Sequence, residues 1–413
     1  MKAAAASAVF AISASADRAV DIEALSPVLQ RVRKGSFFVE RRSSEQGTLV
    51  VGGLIPGKGG DLLLHGSCDR DLDVSSLQAA LGGAVSGEFA IVALQPGSVL
   101  AARDPLGAKP LYQGAAQGVA VVSTEPSLIT SFAAQPMPAS PGHLLELKGG
   151  RLNSTKYCCD LSGEPFPGDL DQAADKVGEL LRSSLKVRLG TGGAVGVAFS
   201  GGLDSSLLAL SCSKDHRVVL ISVFASGSKD SARVEGAADE LGLELVKVKV
   251  GEADLERALR EEGGRPAETR PLDRALSAGF FLASTAARDQ GLRTIAAGQG
   301  ADEIFAGYNR HLELASMDPG GLNRRLVEEL PLLEIGLRRD EMAIVRGGCE
   351  ASFPFADLPM ARFALNLPSG YLISDGVRKV VLRRLAIKVG LPPSMASAEK
   401  KAFQYSSGLQ SLL

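Results

Sequence analysis

The chain has 413 residues, 45% hydrophobic and 22% charged, with 45 basic and 47 acidic side chains and a formal net charge of −2. Charge so nearly cancelled, without a run of five or six like residues, argues against a nucleic-acid partner, and no stretch approaches the ~20 apolar residues that span a bilayer. At this length two domains are expected, each able to bury its own core.

The opening MKAAAASAVFAISASA holds one lysine and many small residues. It is short, rich in Ala and Ser, and runs straight into Asp17 and Arg18, so it reads as a buried first strand rather than an export signal. Short alternating strands follow at Ala8–Ile12, Thr48–Leu54, Phe89–Leu94, Ser98–Ala102 and Val119–Ser123, separated by Gly-rich turns. Helical patterns are brief there, at Ile22–Arg33 and Ser75–Leu81. These features predict an α+β domain over residues 1–162, ending at the Pro/Gly stretch Gly163–Asp169, which reads as a linker. The cysteines Cys68, Cys158, Cys159, Cys212 and Cys349 are odd in number and lack metal-ligand spacing. Adjacent Cys158 and Cys159 would pair only with strain, so free thiols and a cytoplasmic setting are expected.

Beyond the linker the period changes. Asp171–Val187 is helical, with apolar residues at Ala174, Val177, Leu180, Leu181 and Leu185. A strand (Ala194–Phe199), a helix (Ser205–Cys212), a strand (Val218–Phe224), a helix (Ser231–Leu241) and a strand (Glu244–Val250) follow. A helix at Leu276–Gln290 leads to a strand at Thr294–Ala297, and from Ala301 the pattern is almost wholly helical. Alternation of this kind predicts an open parallel α/β sheet with right-handed crossovers over residues 170–413.

The run VGVAFSGGLDSSLLAL places a tight Ser200-Gly201-Gly202 turn between a strand and a helix beginning near Ser205. Glycines let the backbone approach an anion, and a helix N-terminus offers unpaired N–H groups and a positive dipole end. Ser200, Ser205 and Ser206 add hydroxyls, and Asp204 has the chemistry to hold Mg²⁺ against phosphate. The Walker pattern is absent, which excludes a P-loop NTPase. SGGLDS instead resembles the PP-loop of ATP pyrophosphatases, which cleave between the α and β phosphates. A second turn, Gly298-Gln299-Gly300 before Asp302-Glu303 in AAGQGADEIFAGYNRH, repeats the arrangement.

Together the two runs resemble the asparagine synthetase family, whose second signature is GxGxDExxxGY. The resemblance continues through EASFPFAD (Glu350–Asp357), Phe363–Pro368, Lys379–Arg383 and Lys400–Phe403, covering nearly all of 170–410, and lies nearer the eukaryotic asparagine synthetase domain-containing proteins than the bacterial enzymes. It implies ATP- and Mg²⁺-dependent adenylation of a carboxylate, aspartate in the family, followed by displacement of AMP by ammonia. Ser200, Gly201, Gly202, Leu203, Asp204, Ser205 and Ser206 match the pyrophosphate-holding positions, and Asp204 and Asp302 the Mg²⁺ positions. Val223 and Ser226 match the adenine region, and Gly298 the nucleoside region. Lys400 matches a lysine that stabilises charge on the leaving phosphates; for it and for Lys379 the plain alternative is a solvated surface lysine. Gln299 stands where bacterial members carry a glutamate tied to the ammonia step, and an amide is no base. Asp273 and Ser352 replace more usual neutral and basic residues, which puts the aspartate substrate in question.

The first domain resembles class II glutamine amidotransferases, of Ntn-hydrolase type, along Ser86–Leu94, RDPLGAKPLY (Arg103–Tyr112), Ser123–Pro126 and Pro141–Leu147. In that family a terminal Cys attacks glutamine, activated by its own amino group. Here Ser7 stands in its place behind six residues, and Arg33–Phe37 is a faint relic of the glutamine-gripping segment. A degenerate scaffold is therefore expected, with nitrogen taken as free ammonia or from a separate glutaminase, and homo-oligomerisation is open. Amidation or cyclisation of another carboxylate, and a non-catalytic interaction role, remain the rival readings.

Overall fold

The short strands of the first 160 residues assemble into two six-stranded sheets. A computed structural model describes residues 4–6, 8–18, 20, 36–44, 47–55, 61–69, 72–74, 77, 81, 85–132, 134–158, 161, 163–226, 228, 230–261, 270–398 and 408–412. The chain divides into two units, Met1–Asp160 and Leu161–Leu413. In the first, the strands are β1 (Ala4–Ala6), β2 (Ala8–Ala14), β3 (Ser36–Ser44), β4 (Gly47–Ile55), β5 (Leu62–Cys68) and β6 (Gly87–Gln95). They continue as β7 (Ser98–Arg103), β8 (Tyr112–Ala116), β9 (Val119–Ser123), β10 (Met137–Pro138), β11 (His143–Lys148) and β12 (Arg151–Lys156).

One sheet has the order β1-β5-β6-β7-β11-β12 and the other β10-β8-β9-β2-β4-β3. Val9, Ala11 and Val51 from one share an apolar layer with Val92, Leu94, Ala101 and Leu145 from the other. Leu72, Leu77 and Leu81 pack against Phe89 and Ile91. Ala4–Ala6 pair in parallel with Leu63, Leu64 and His65, so residues just before Ser7 form an edge strand. Ser7 itself, the expected Ile22–Arg33 helix, Lys34, Gly35 and Cys159 lie outside the described residues. Among the described residues, Cys68, Cys158, Cys212 and Cys349 form no disulfide with one another.

The RDPLGAKPLY run is a turn held from inside. Arg103 is fully buried and donates to the carbonyls of Lys109 (2.8 Å), Ala139 (2.6 Å) and Gly107 (2.9 Å). The Asp104 carboxylate accepts from the N–H groups of Leu106, Ala108 and Lys109 at 3.1, 2.9 and 2.9 Å. Burial pushes the Asp104 carboxyl up, against the pull of Arg103 and those N–H groups. These polar groups are consumed in shaping the main chain.

The second unit holds one five-stranded parallel sheet, β13 (Ala194–Ala198), β14 (Arg217–Ala225), β15 (Glu244–Val250), β16 (Thr294–Ala296) and β17 (Glu350–Ser352), in the order β15-β14-β13-β16-β17. The chain builds outward from β13 to β15, then returns to lay β16 on the other side of β13. Ligands of open α/β sheets settle at such a reversal, beyond the carboxyl ends of the strands. The fold class is the expected one: α/β, with a parallel sheet and a helical C-terminal part. β17 is absent from the sequence reading because three residues after a long helix establish no strand period.

A helix over Leu170–Leu189 opens the unit, capped reciprocally by Asp169 and Gln172 and burying Ala174, Val177, Leu181 and Leu185. Its Ser184 donates to the Pro354 carbonyl and its Arg188 pairs with buried Asp357 at 3.0 Å, which fixes the FPFAD segment. The Pro/Gly stretch before it is no free linker. Phe166 donates its N–H to the Asn366 carbonyl and stacks edge-on against Phe363, and Tyr371 donates to the Gly168 carbonyl.

Candidate active site

A cavity of about 630 Å³ opens where the loops after β13 and β16 meet, within the usual size of a small-molecule site. Gly201 takes φ +66°, open to glycine, and Gly202 caps the Leu203–Cys212 helix without a side-chain acceptor. The first-turn N–H groups are thereby left to an incoming anion. Within the loop the Ser200 N–H donates to Ser205 Oγ at 3.2 Å, and the two hydroxyls lie 3.1 Å apart. A Cβ on Gly298 would stand 3.2 Å from the Asp204 Cβ, so glycine lets the second loop close on the first.

Lys379 is not a surface lysine. It is buried, and its Nζ lies 2.6 Å from Asp204 Oδ2 and 2.6 Å from Asp302 Oδ1. Burial alone would lower the ammonium's pKa, but the two carboxylates outweigh it and raise it. Its backbone sits at φ +56°, in the left-handed region, just before the helix Val380–Lys388. A Cβ at Gly307 would fall 1.9 Å from Asp302 Oδ1 and 2.3 Å from Lys379 Cε, so a side chain there would push the tips of the pair aside. Two carboxylates converging on one cation fit a hard divalent metal, with phosphate oxygens and water completing the shell. Among the described residues, no group of three or more His, Cys, Asp or Glu gathers as an all-protein metal site.

Six arginines without a role in the sequence reading also line this cavity, among them Arg233, Arg378 and Arg383 on the side of the two loops. Arg233 donates to the Ser200 and Gly201 carbonyls at 2.9 and 3.2 Å, bracing the PP-loop-like turn. Arg378 donates to the Gly307 carbonyl and Asn309 Oδ1, and Arg383 to the carbonyls of Arg378, Ala396 and Ala398. Those acceptors are neutral. Burial and then the nearby Arg378 lower the Arg383 pKa, against the pull of Asp204. Cations so placed suit a polyanion. Residues that donate to distant carbonyls leave no pattern in sequence, which is why they escaped notice.

On the facing side, Gln299 donates its amide to Asp340, which is wholly buried. Asp340 accepts from Arg339 at 2.7 Å, Arg339 reaches Asp273 at 2.6 Å, and Asp273 also binds Arg270 at 2.8 Å. Burial works against the Asp273 carboxylate, but Arg270 and Arg339 hold it below the usual range. Nearby, Tyr308 donates to Glu303 and carries Arg310 over its ring at 4.1 Å. Burial opposes ionisation of Glu329, yet Arg310, His311 and Arg325 bring its carboxyl down to about 2.

The structure thus gathers Ser200, Gly202, Leu203, Asp204, Ser205, Gly298, Gln299, Asp302 and Lys379 around one cavity. Gly201, Ser206, Val223 and Ser226 are not in its lining; Ser206 and Val223 are buried and Ser226 is an exposed turn residue. Ser352 is buried on β17. Lys400 lies outside the described residues.

The asparagine synthase profile matches residues 176–344 and 332–412, more than half of the chain and the whole of this cavity's lining. The chain belongs to the asparagine synthase family. Its similarity to human asparagine synthetase (glutamine-hydrolyzing) is 29% identity over 366 residues, covering 79% of this chain and 64% of that one. The Pongo abelii protein of the same name matches at 30% over 369 residues, again 79% and 64%. Mouse asparagine synthetase domain-containing protein 1 matches at 37% over 127 residues, 29% of this chain and 20% of that one. The chain spans less than two thirds of the length of these relatives. No helix among the described residues is long and apolar enough to cross a membrane.

Proposed function

We propose that this member of the asparagine synthase family is an ATP-dependent, AMP-forming ligase that adenylates a carboxylate, releases pyrophosphate and completes an amide with ammonia. One observation carries the reading. Lys379, Arg233, Arg378 and Arg383 line a single cavity with Asp204 and Asp302, leaving a cationic excess at a helix N-terminus. A triphosphate supplies the missing negative charge.

In this reading Ser200, Gly202, Leu203 and Ser205 grip the pyrophosphate, with Gly201 and Ser206 shaping the loop. Gly298, Val223 and Ser226 border the nucleoside, and Lys400 joins Lys379 on the leaving phosphates. Asp204 and Asp302 would hold Mg²⁺, which supplies charge neutralisation as pyrophosphate departs. The carboxylate oxygen attacks the α-phosphorus, the bridge to the β-phosphate breaks, and the electron pair leaves with pyrophosphate. Ammonia then attacks the acyl carbon and AMP departs. Gln299 orients that side of the cavity through Asp340 rather than acting as a base. Residues 1–162 serve as a retained scaffold and 170–413 as the synthetase domain, in the cytoplasm, with nitrogen from free ammonia or a separate glutaminase.

The test is product analysis with the full chain, Mg·ATP, ammonia or glutamine, and a panel of carboxylic and amino acids. AMP and pyrophosphate in equal amounts, dependent on an acid, are expected. ADP and phosphate instead would overturn the reading.

A further inference from the structure

The Lys379 ammonium stands between the two carboxylates assigned to Mg²⁺, 2.6 Å from Asp204 Oδ2 and 2.6 Å from Asp302 Oδ1. Mg²⁺ bonds oxygen at ~2.0–2.1 Å, so ammonium and metal would crowd one gap between the same two atoms. In so sheltered a place two cations repel strongly. The lysine reaches the gap along a buried path. Its backbone lies at φ +56°, and its Cε passes 2.3 Å from where a Cβ on Gly307 would stand.

As a stand-in for a divalent ion the ammonium is incomplete, one positive charge between two negative ones. The other charged groups of the lining have partners of their own kind. Arg270 and Arg339 share Asp273, Arg339 also binds Asp340, Arg310 binds Glu329, and Glu303 accepts from Tyr308. Arg233, Arg378 and Arg383 donate to neutral acceptors. A phosphate chain entering among these last three would offer the ammonium another set of oxygens, and a flexible four-carbon stem lets it move across. We propose that Lys379 is a placeholder: its ammonium keeps free divalent metal out of the Asp204–Asp302 gap and yields only when phosphate draws it away. Metal and phosphate then bind cooperatively, each tightening the other by one factor. This rests on the Mg²⁺ assignment of the two carboxylates above.

The experiment has two arms, both on the full chain with folding checked by circular dichroism. The first is Mn²⁺ binding without phosphate, read from the free-ion electron paramagnetic resonance signal. Lys379→Met is expected to bind Mn²⁺ at least about tenfold more tightly than the parent, and adding Asp204→Asn should abolish the gain. A lysine that merely supported the fold would give no gain. The second arm is equilibrium dialysis of labelled pyrophosphate against the parent, where Mg²⁺ should tighten binding at least about tenfold over chelator. Equal Mn²⁺ affinity in parent and variant, or a gain that survives Asp204→Asn, overturns the placeholder. If Lys379→Met does not fold, the parent decides. Mn²⁺ bound to it without phosphate and lost in Asp204→Asn overturns the placeholder, and no such binding beside Mg²⁺-tightened pyrophosphate supports it. Pyrophosphate binding indifferent to Mg²⁺ would instead bring down the metal assignment beneath.

Discussion

Arg103 in the first unit and Lys379 in the second are both long cations almost wholly withdrawn from water, yet their partners differ in kind. Arg103 spends its guanidinium on three carbonyls, those of Gly107 and Lys109 in the turn it belongs to and that of Ala139 beyond it. Lys379 spends its ammonium on two carboxylates carried by separate loops at the wall of a cavity. Both sit in runs that drew notice in the sequence, RDPLGAKPLY and KVVLR. In the first run Arg103 and Asp104 are bound by main chain and maintain shape, and the buried Lys109–Glu88 pair at 3.7 Å lies within the same unit. In the second, opposed side-chain charges are gathered where a ligand enters, and an arrangement of that kind has chemistry to offer.

The sharpest way to break this contrast is at the carboxylates. Asp302→Asn keeps the volume, leaves Lys379 its Asp204 partner, and should cut pyrophosphate release by ~10²–10³-fold, the usual loss of one preorganised electrostatic contact. Its thermal midpoint should move little. Full activity in that variant would remove the metal and phosphate assignment. The mirror experiment is Arg103→Met. Each orphaned buried carbonyl costs ~1–3 kcal/mol, so denaturant unfolding of the first unit should lose at least about 3 kcal/mol. Pyrophosphate release per folded molecule should stay within twofold or so of the parent. A stable Arg103→Met protein would show that the run is not a structural staple.

The smallest effect is expected at Gln299. Because its amide donates to buried Asp340, Gln299→Glu sets two carboxylates together, a repulsion of roughly 1 kcal/mol or more. Amide formed per pyrophosphate released, at saturating ammonia, should therefore not rise, and KM for ATP should increase several-fold. A clear rise in that ratio would mean that glutamine here is a loss of function rather than one half of a matched pair.

The parallel sheet and its first loop were legible because apolar strands, glycines and a following helix form a local pattern. What surrounds that loop was not. Lys379 read equally as a solvated lysine, since its partner Asp204 stands 175 residues away. Asp340 and Arg339 lie within an ordinary amphipathic helix, and nothing local distinguishes them from solvent-facing charges. Gln299 stood out only against the bacterial glutamate, and its partner Asp340, 41 residues distant, gave no local sign. The Gly163–Asp169 stretch misled in the opposite direction. Proline and glycine commonly mark a loose connection, but Phe166 and Gly168 are bound to Asn366, Phe363 and Tyr371, contacts that composition does not record.

The space at Gly307 is already filled by its neighbours, with Asp302 Oδ1 and Lys379 Cε where a methyl would go. A side chain at 307 would press on the tips of both, so the glycine keeps open the space in which the ammonium and the carboxylate meet.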